Sequence, residues 1–288
     1  MSSSSLSKAK SITIINLKGG VGKTHITWLL STVCQDRRHR CLVVDLDQQA
    51  NITSSFLTNH TKPIGIERLI DPSDDPEPEE VICSTPYSHI DIIPATGHLA
   101  RLDASDMCEW EQTDSQYCLV DTLRTLSTKY EYVFLDCPPR ISLTSYAALC
   151  ATQYVVIPLE AADWGARGTP CVTSAIDTVR NQHNSNIHLL GYIVSRYKHQ
   201  RSYQQEYFKQ LRRQFGQDAF FTVIPDRADF EKAVTDRSLP TLNSPYANVS
   251  PIAHQLFDET EHRIERHASS CTKRRSTGVP AFALVAAR

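Results

Sequence analysis

Residues 17–24 read Leu17-Lys18-Gly19-Gly20-Val21-Gly22-Lys23-Thr24, and each residue type in that run suits the binding of a polyphosphate. Glycines let backbone N–H groups converge on phosphate oxygens, and a helix starting at Lys23 turns its positive end toward the same anion. Lys23 would reach the β- and γ-phosphates, and the Thr24 hydroxyl would ligate Mg²⁺. The expected nucleotide-binding set is Lys18, Gly19, Gly20, Val21, Gly22, Lys23, Thr24 and His25. The usual loop reads G-x-x-x-x-G-K-[ST]; here Leu17 stands at the first glycine's place and a second lysine, Lys18, follows it. A glycine turn that only joins a strand to a helix is the alternative, and it leaves both lysines and the threonine without a reason.

Three acids stand where open α/β sheets bind ligands, beyond the carboxyl ends of apolar strands. Asp136 ends the run Tyr132-Val133-Phe134-Leu135, Asp45 ends Cys41-Leu42-Val43-Val44, and Asp47 follows two residues later. Asp136 is the expected Mg²⁺ partner, directly or through water; a carboxylate that only caps the next turn is the alternative. Asp47, off the strand, can extend toward the γ-phosphate and orient or activate the attacking water. Asp45 supports either the metal or the loop. Lys18 adds a cation at the γ-phosphate of its own nucleotide or, across a dimer, of another; spacing leaves both open. Lys18, Lys23 and Asp47 are thus the expected catalytic set.

These side chains need a scaffold. Residues 12–16 form a strand candidate, and Ile26, Leu29, Leu30, Val33 and Cys34 recur at helical spacing within an expected helix over 23–38. Further strands are expected at 40–45, 90–94, 132–136, 154–158, 189–195 and 220–224, and helices at 116–129, 143–150, 168–182, 203–215, 230–235 and 250–267. Residues 51–89 read as loop-rich, with a short helical signal at 66–70 and a solvated, Pro- and acid-rich run at 71–80. Continuous apolar strands alternating with helices predict an α/β fold: a mostly parallel, twisted sheet covered by helices on both faces. The expected organisation is a disordered N-terminus (1–10), one domain (11–267) and a basic, flexible tail (268–288).

The 288 residues are 41% hydrophobic and carry a formal net charge of −2, enough apolar material for a sizeable core. Nine cysteines without a C-x-x-C pair suit a reducing cytosol rather than a disulfide scaffold. The serine-rich start lacks the apolar segment of a signal peptide, and no apolar run approaches the ~20 residues of a spanning helix. A cytoplasmic protein is expected. Charge is segregated: residues 67–121 hold 14 acids against Arg68 and Arg101. Residues 196–213 hold Arg196, Lys198, Arg201, Lys209, Arg212 and Arg213 against Glu206 alone. Such a basic run can meet DNA phosphates without reading sequence; a solvated helix face is its alternative, and Arg196 could instead lie near a nucleotide base.

The loop, the segment Asp45-Leu46-Asp47-Gln48-Gln49-Ala50-Asn51 and the step Asp136-Cys137-Pro138-Pro139 together resemble the ParA/MinD family of deviant Walker-motif P-loop ATPases. Lys18 is similar to its signature lysine. The likeness extends through Val156-Ile157-Pro158-Leu159-Glu160, Ile224-Pro225 and Leu239-Pro240. The resemblance implies ATP and Mg²⁺ as cofactors and a sandwich homodimer in which Lys18 contacts the partner's ATP. It also implies slow hydrolysis through Asp47. Within the family the chain looks most like ParA/Soj-type partition ATPases, whose ATP dimers bind DNA non-specifically on the nucleoid and answer to a cargo-bound adaptor or ParB-like activator. The cargo would be a plasmid, a chromosome or another body such as a chemoreceptor array. Gln48 departs from the family's proline, His25 from its Thr or Ser, and Arg140 from a small residue. A MinD-like membrane ATPase is the rival, but residues 250–267 carry Glu259, Glu261 and Glu265 and Pro280 interrupts the apolar end, so no stable membrane association is expected. An iron–sulfur carrier would need a second cysteine spaced to partner Cys137.

Overall fold

The computed structural model describes residues 9–57, 64–71, 73–74, 76–102, 114–161 and 169–276. Its strands are β1 (Lys10–Ile14), β2 (Cys41–Asp45), β3 (Cys83–Ser84), β4 (Ile90–Ile93), β5 (Tyr132–Asp136), β6 (Tyr154–Glu160), β7 (His188–Tyr197) and β8 (Ala219–Pro225). They form one sheet in the order β3-β4-β2-β5-β1-β6-β7-β8. All neighbours pair in parallel except the short edge strand β3, which runs antiparallel to β4. The helices are α1 (Lys23–Arg37), α2 (Asn51–Phe56), α3 (Glu67–Ile70), α4 (Leu99–Leu102), α5 (Cys118–Leu126), α6 (Leu143–Ala151), α7 (Thr169–Gln182), α8 (Ser202–Phe215), α9 (Ala228–Thr235) and α10 (Ser250–Ser276).

Why the strands read as unbroken apolar runs is visible in their two faces. Alternate residues of a strand point to opposite sides. Tyr132 and Phe134 of β5 join a core with Ile26, Leu29 and Val33 of α1 and with Leu256 and Phe257 of α10. Val133 and Leu135 join the opposite core with Leu123 of α5, Ala147 of α6, Val172 and Ile176 of α7 and Leu211 of α8. A sheet covered on both faces leaves no polar side, and that is the arrangement the alternation predicts. Among the described residues no helix is long and apolar enough to cross a membrane.

Several bounds differ from expectation for physical reasons. The sheet takes up the chain earlier than residue 11: the Ala9 amide donates to the Ser127 carbonyl at 3.2 Å and Lys10 to Glu131 at 2.9 Å. Residues 1–8 and 277–288 lie outside the described residues. At the other end α10 continues past His267 to Ser276, so residues 268–276 are helix rather than tail; no glycine or proline interrupts the chain before Gly278. The helix expected over 116–129 begins as a 3₁₀ turn at Ser115–Tyr117 and ends at Leu126. Within the loop-rich stretch, α2 is a helix built from poor helix formers, Asn51-Ile52-Thr53-Ser54-Ser55-Phe56, and tertiary bonds to Thr53 hold it.

β7 departs from regular pairing three times, once against β6 and twice against β8. Val155 of β6 faces Leu189 while Val156 faces Gly191, so Leu190 bulges out of the ladder. Gly191 has φ +144°, and a methyl group there would strike the Asp218 carbonyl at 2.0 Å. Buried Arg263 of α10 fills this corner. It donates to the carbonyls of Leu190 (2.8 Å), Gln217 (2.9 Å) and Ala219 (2.7 Å), pairs with Glu259 at 2.9 Å and stacks on Phe220. Glu259 in turn accepts from the amides of Phe221 and Thr222. Arg263→Ala strands these acceptors and is expected to destabilise the fold by about 3 kcal/mol. A thermal melt shifted by less than a degree would contradict that account.

Candidate functional site

The glycine loop lies between β1 and α1 at the carboxyl edge of the sheet. Gly20 (φ +75°) and Gly22 (φ +83°) occupy left-handed backbone, which residues with a side chain adopt at a cost. At Gly22 space is also short, since a methyl group there would lie 3.3 Å from Cβ of Ser195. Neighbouring strands clamp the loop. Asn16 donates from Nδ2 to the Pro158 carbonyl at 2.5 Å and accepts from the Lys18 amide at 3.1 Å, and the Ser195 hydroxyl donates to the Val21 carbonyl at 2.6 Å.

The two lysines face different surroundings. Lys23 is buried, and its Nζ donates to the Lys18 carbonyl at 3.2 Å. Burial pulls its pKa down, against the neighbouring acidic groups Asp136, Cys137 and Asp47, which push it up. It is a cation held in place with no full counter-charge. Lys18, with a side chain 41% exposed, pairs at 2.5 Å with Glu160 at the end of β6. Beside them opens a cleft of about 630 Å³ lined by Gly20, Lys23, Thr24, Asp47, Asn51 and Pro139, among others.

The carboxylates divide as their partners dictate. Asp45 and Asp136 sit opposite each other in register on β2 and β5, and both are buried. Asp45 accepts from the amides of Asp47 (3.1 Å) and Thr53 (3.0 Å) and from the Thr53 hydroxyl (2.7 Å). Burial nonetheless raises its pKa to about 6. Asp45 therefore supports the loop, tying the 47–53 segment to the sheet. Asp136 is different: neither carboxylate oxygen has a hydrogen-bond partner. Burial and the charge of Asp45 push its pKa well up, against the Thr24 hydroxyl and the Lys23 ammonium. An orphaned buried carboxylate beside a threonine hydroxyl is the donor set that a magnesium ion bound with a phosphate chain would satisfy. Among the described residues no cluster of three or more His, Cys, Asp or Glu could hold a metal unaided. Mg²⁺ takes one or two protein ligands and completes its shell with phosphate and water.

Asp47 reaches the cleft wall with 9% of its surface exposed, and its Oδ1 accepts from the Gln49 amide at 3.0 Å. Ala50 then turns the chain with φ +51° into α2. His25 packs edge-on against Phe230, ring centres 4.6 Å apart, with Nε2 buried and unpartnered. Burial lowers its pKa to about 4, so the ring is neutral at physiological pH. Glu160, Thr53, Asn16 and Ser195 were not singled out by residue chemistry. Glu160 had a usable signal, an acid ending an apolar strand as Asp45 and Asp136 do. The others bond through backbone partners that spacing does not reveal.

The basic run spans the end of β7, the turn after it and α8. Lys198 pairs with Asp226 at 2.9 Å, and Arg212 lies 4.1 Å over the ring of Phe221. Arg201 donates to the Tyr203 hydroxyl at 2.7 Å, and Lys209 lies 4.0 Å from Glu206. Arg201, Lys209 and Arg213 are exposed, the last two one turn apart on α8. Arg196 stands apart from them on β7, its Nη1 3.9 Å from where a methyl group on Gly20 would sit. It faces the loop.

Comparison with known proteins follows the same lines. The AAA_31 family, an AAA domain, matches residues 9–189. The chromosome-partitioning ATPase Soj of Thermus thermophilus is 30% identical over 261 residues, covering 90% of this chain and 98% of the relative. The chromosome partitioning protein ParA of Myxococcus xanthus is 28% identical over 216 residues, 74% of each chain. Among solved structures, the ATP complex of a Cyanothece McdA variant superposes with a TM-score of 0.77 at 19% identity, covering 90% of this chain and 97% of that one. A Borrelia burgdorferi plasmid partition protein bound to AMPPNP gives 0.70 at 26% identity, covering 87% and 98%.

Proposed function

The chain belongs to the ParA/MinD family of deviant Walker ATPases, and from that premise we propose that it is a ParA/Soj-type partition ATPase. In this reading it binds Mg-ATP, closes into a sandwich homodimer, holds DNA without sequence preference and hydrolyses ATP slowly. The observation that carries the reading is the division of labour between two lysines of one loop. Lys23 is buried against the cleft, whereas Lys18 is half exposed on the same loop. One cation serves the chain's own nucleotide, and the other, paired with Glu160 in the single chain, would exchange that carboxylate for a second copy's phosphate.

The residues supply the following chemistry. Loop N–H groups and Lys23 neutralise the phosphate chain, and positioning of this kind is most of what phosphoryl transfer needs. Thr24 and Asp136 would hold Mg²⁺, which when bound offsets charge on the β- and γ-oxygens. Asp47 accepts a proton from the water that attacks the γ-phosphorus as the bond to the bridging oxygen breaks. Asp45 keeps Asp47 in reach by holding its amide and the following turn. Lys209 and Arg213 on α8, with Arg201 at its start, are the exposed cations for DNA; a dimer doubles their number on one duplex, and affinity for phosphates rises steeply with the number of contacts. A cargo-bound adaptor would then set where ATP is consumed, with the nucleoid as the working surface.

Co-sedimentation with DNA and with anionic liposomes, each in ATP and in ADP, tests the reading. DNA pelleting in ATP alone is the expected result; ATP-dependent pelleting with liposomes and none with DNA would replace it by a membrane-positioning ATPase. Lys18→Ala is expected to keep ATP affinity within about twofold while dimer affinity falls about tenfold or more. Light scattering that shows an unaltered ATP-dependent dimer would remove Lys18 from the interface.

A further inference from the structure

Arg196 is the next-to-last residue of β7, and its φ of +52° puts a residue with a long side chain in left-handed backbone. Such strain persists where surrounding structure imposes it, and it gathers at functional sites. Here the cause is local. Val194 pairs with Val223 and Tyr197 with Pro225, three steps along β7 against two along β8, so β7 carries one extra residue. Bulges re-aim side chains and are over-represented beside active sites. Tyr197 stays buried while Arg196 turns outward.

The direction it turns is toward the phosphate loop, over the left-handed Gly20. The preceding residue, Ser195, donates to the Val21 carbonyl at 2.6 Å, which locks the end of β7 and the loop in one register. Among the described residues the Arg196 guanidinium makes no hydrogen bond or ion pair, whereas Lys198, two residues on, is engaged by Asp226. Arg196 also lines a side chamber of about 330 Å³, walled by Pro225 and Phe230, that shares Gly22, His25 and Val234 with the main cleft. An exposed, unpaired guanidinium on a constrained backbone, between a glycine loop and a chamber that Asp226, Arg227 and Glu231 also line, has the geometry of a phosphate ligand. Its planar fork matches two phosphate oxygens at once.

We propose that Arg196 is a nucleotide-binding residue that acts in cis on the phosphates nearest the nucleoside, and that it is no part of the DNA surface. The proposal rests on the ATP-binding reading above. It differs from the role of Lys18 in one measurable way: the phosphates nearest the nucleoside are common to ATP and ADP, so Arg196 strengthens both nucleotides equally. A cation reserved for the γ-phosphate would separate them.

The test measures fluorescent ADP and ATP analogues on wild type, Arg196→Met, Arg196→Lys, Arg196→Gly and Lys23→Ala. Arg196→Met is expected to weaken both nucleotides about tenfold, the scale of one charge-assisted contact, and Arg196→Lys to recover part of that. Arg196→Gly is the control for folding, since glycine accepts φ +52° without strain: it should melt at or above the wild-type temperature without nucleotide, yet bind as weakly as Arg196→Met. DNA co-sedimentation at saturating ATP is expected to be unchanged in all three. Wild-type nucleotide affinity in the Arg196 variants, with Lys23→Ala deficient, would overturn the proposal and leave the ATPase reading intact. Loss of ATP affinity with ADP affinity retained would overturn it in favour of a γ-phosphate contact, and loss of DNA binding at saturating ATP would return Arg196 to the DNA surface. A wild-type protein that binds neither nucleotide would overturn both readings.

Discussion

Lys23→Ala is expected to lower ATP affinity by at least ~100-fold, the scale of losing charge-assisted contacts from an ammonium to a phosphate chain in a desolvated site, while the fold survives. The second half of that expectation is as important as the first. Lys23 is a buried ammonium whose pKa is already pulled down by burial, so folding gains little from it. Its single hydrogen bond, to the Lys18 carbonyl, is one the loop can replace with water. Alanine suits the first turn of α1, where a helix former is wanted. The nearby Asp136, already pushed up by burial and Asp45, would rise further without the ammonium and take a proton more readily. The variant should therefore melt within a few degrees of wild type and fail only in calorimetric titration with ATP. Unchanged nucleotide affinity would remove the glycine loop from the nucleotide site altogether.

How much of this could be read from the chain differs by level. The sheet was legible because apolar runs buried on both faces leave a continuous signature: β5 begins and ends at the residues expected, Tyr132 and Asp136. The loop was legible because glycine, lysine and threonine have few other reasons to coincide. What spacing could not show was partnership. Asp45 and Asp136 look alike as acids ending apolar strands, yet Asp45 accepts three hydrogen bonds and Asp136 none. The helix α2 was invisible because Asn51 to Phe56 have low helix propensity, and the bonds that hold it come from Asp45 on another element. The basic run looked like one surface because charge is countable in sequence while direction is not. Arg196 turns toward the phosphate loop beside a register shift in β7, whereas Lys209 and Arg213 are exposed on α8, and no periodicity announces such a shift.

That distinction between position and partnership decides the second large effect. Asp47→Ala is expected to reduce steady-state phosphate release about 100-fold or more, the lower end of what a positioned general base contributes, while ATP affinity stays within a few-fold of wild type. The reason is which bonds the substitution touches. Asp45 holds this segment through the Asp47 amide and through Thr53, and a backbone amide survives replacement of its side chain. Only the bond from the Gln49 amide to Asp47 Oδ1 is lost, at a turn that also keeps the Ala50 amide on the Asp47 carbonyl at 2.8 Å. The loop should therefore stay in place with its carboxylate missing. An enzyme that binds ATP but cannot activate water accumulates in the ATP-bound form, so light scattering should show a dimer that persists long after wild type has returned to monomer. Gln48, where the family has proline, leaves the segment's backbone less restricted, which makes the Asp45 tether the main restraint on Asp47. Asp45→Asn should accordingly lower turnover as well, by disturbing the tether rather than the chemistry, and should do so with Asp47 intact. Wild-type turnover in Asp47→Ala would exclude Asp47 as the base. The water would then have to be oriented by another group at the cleft, with Asn51, which also lines it, the first to replace.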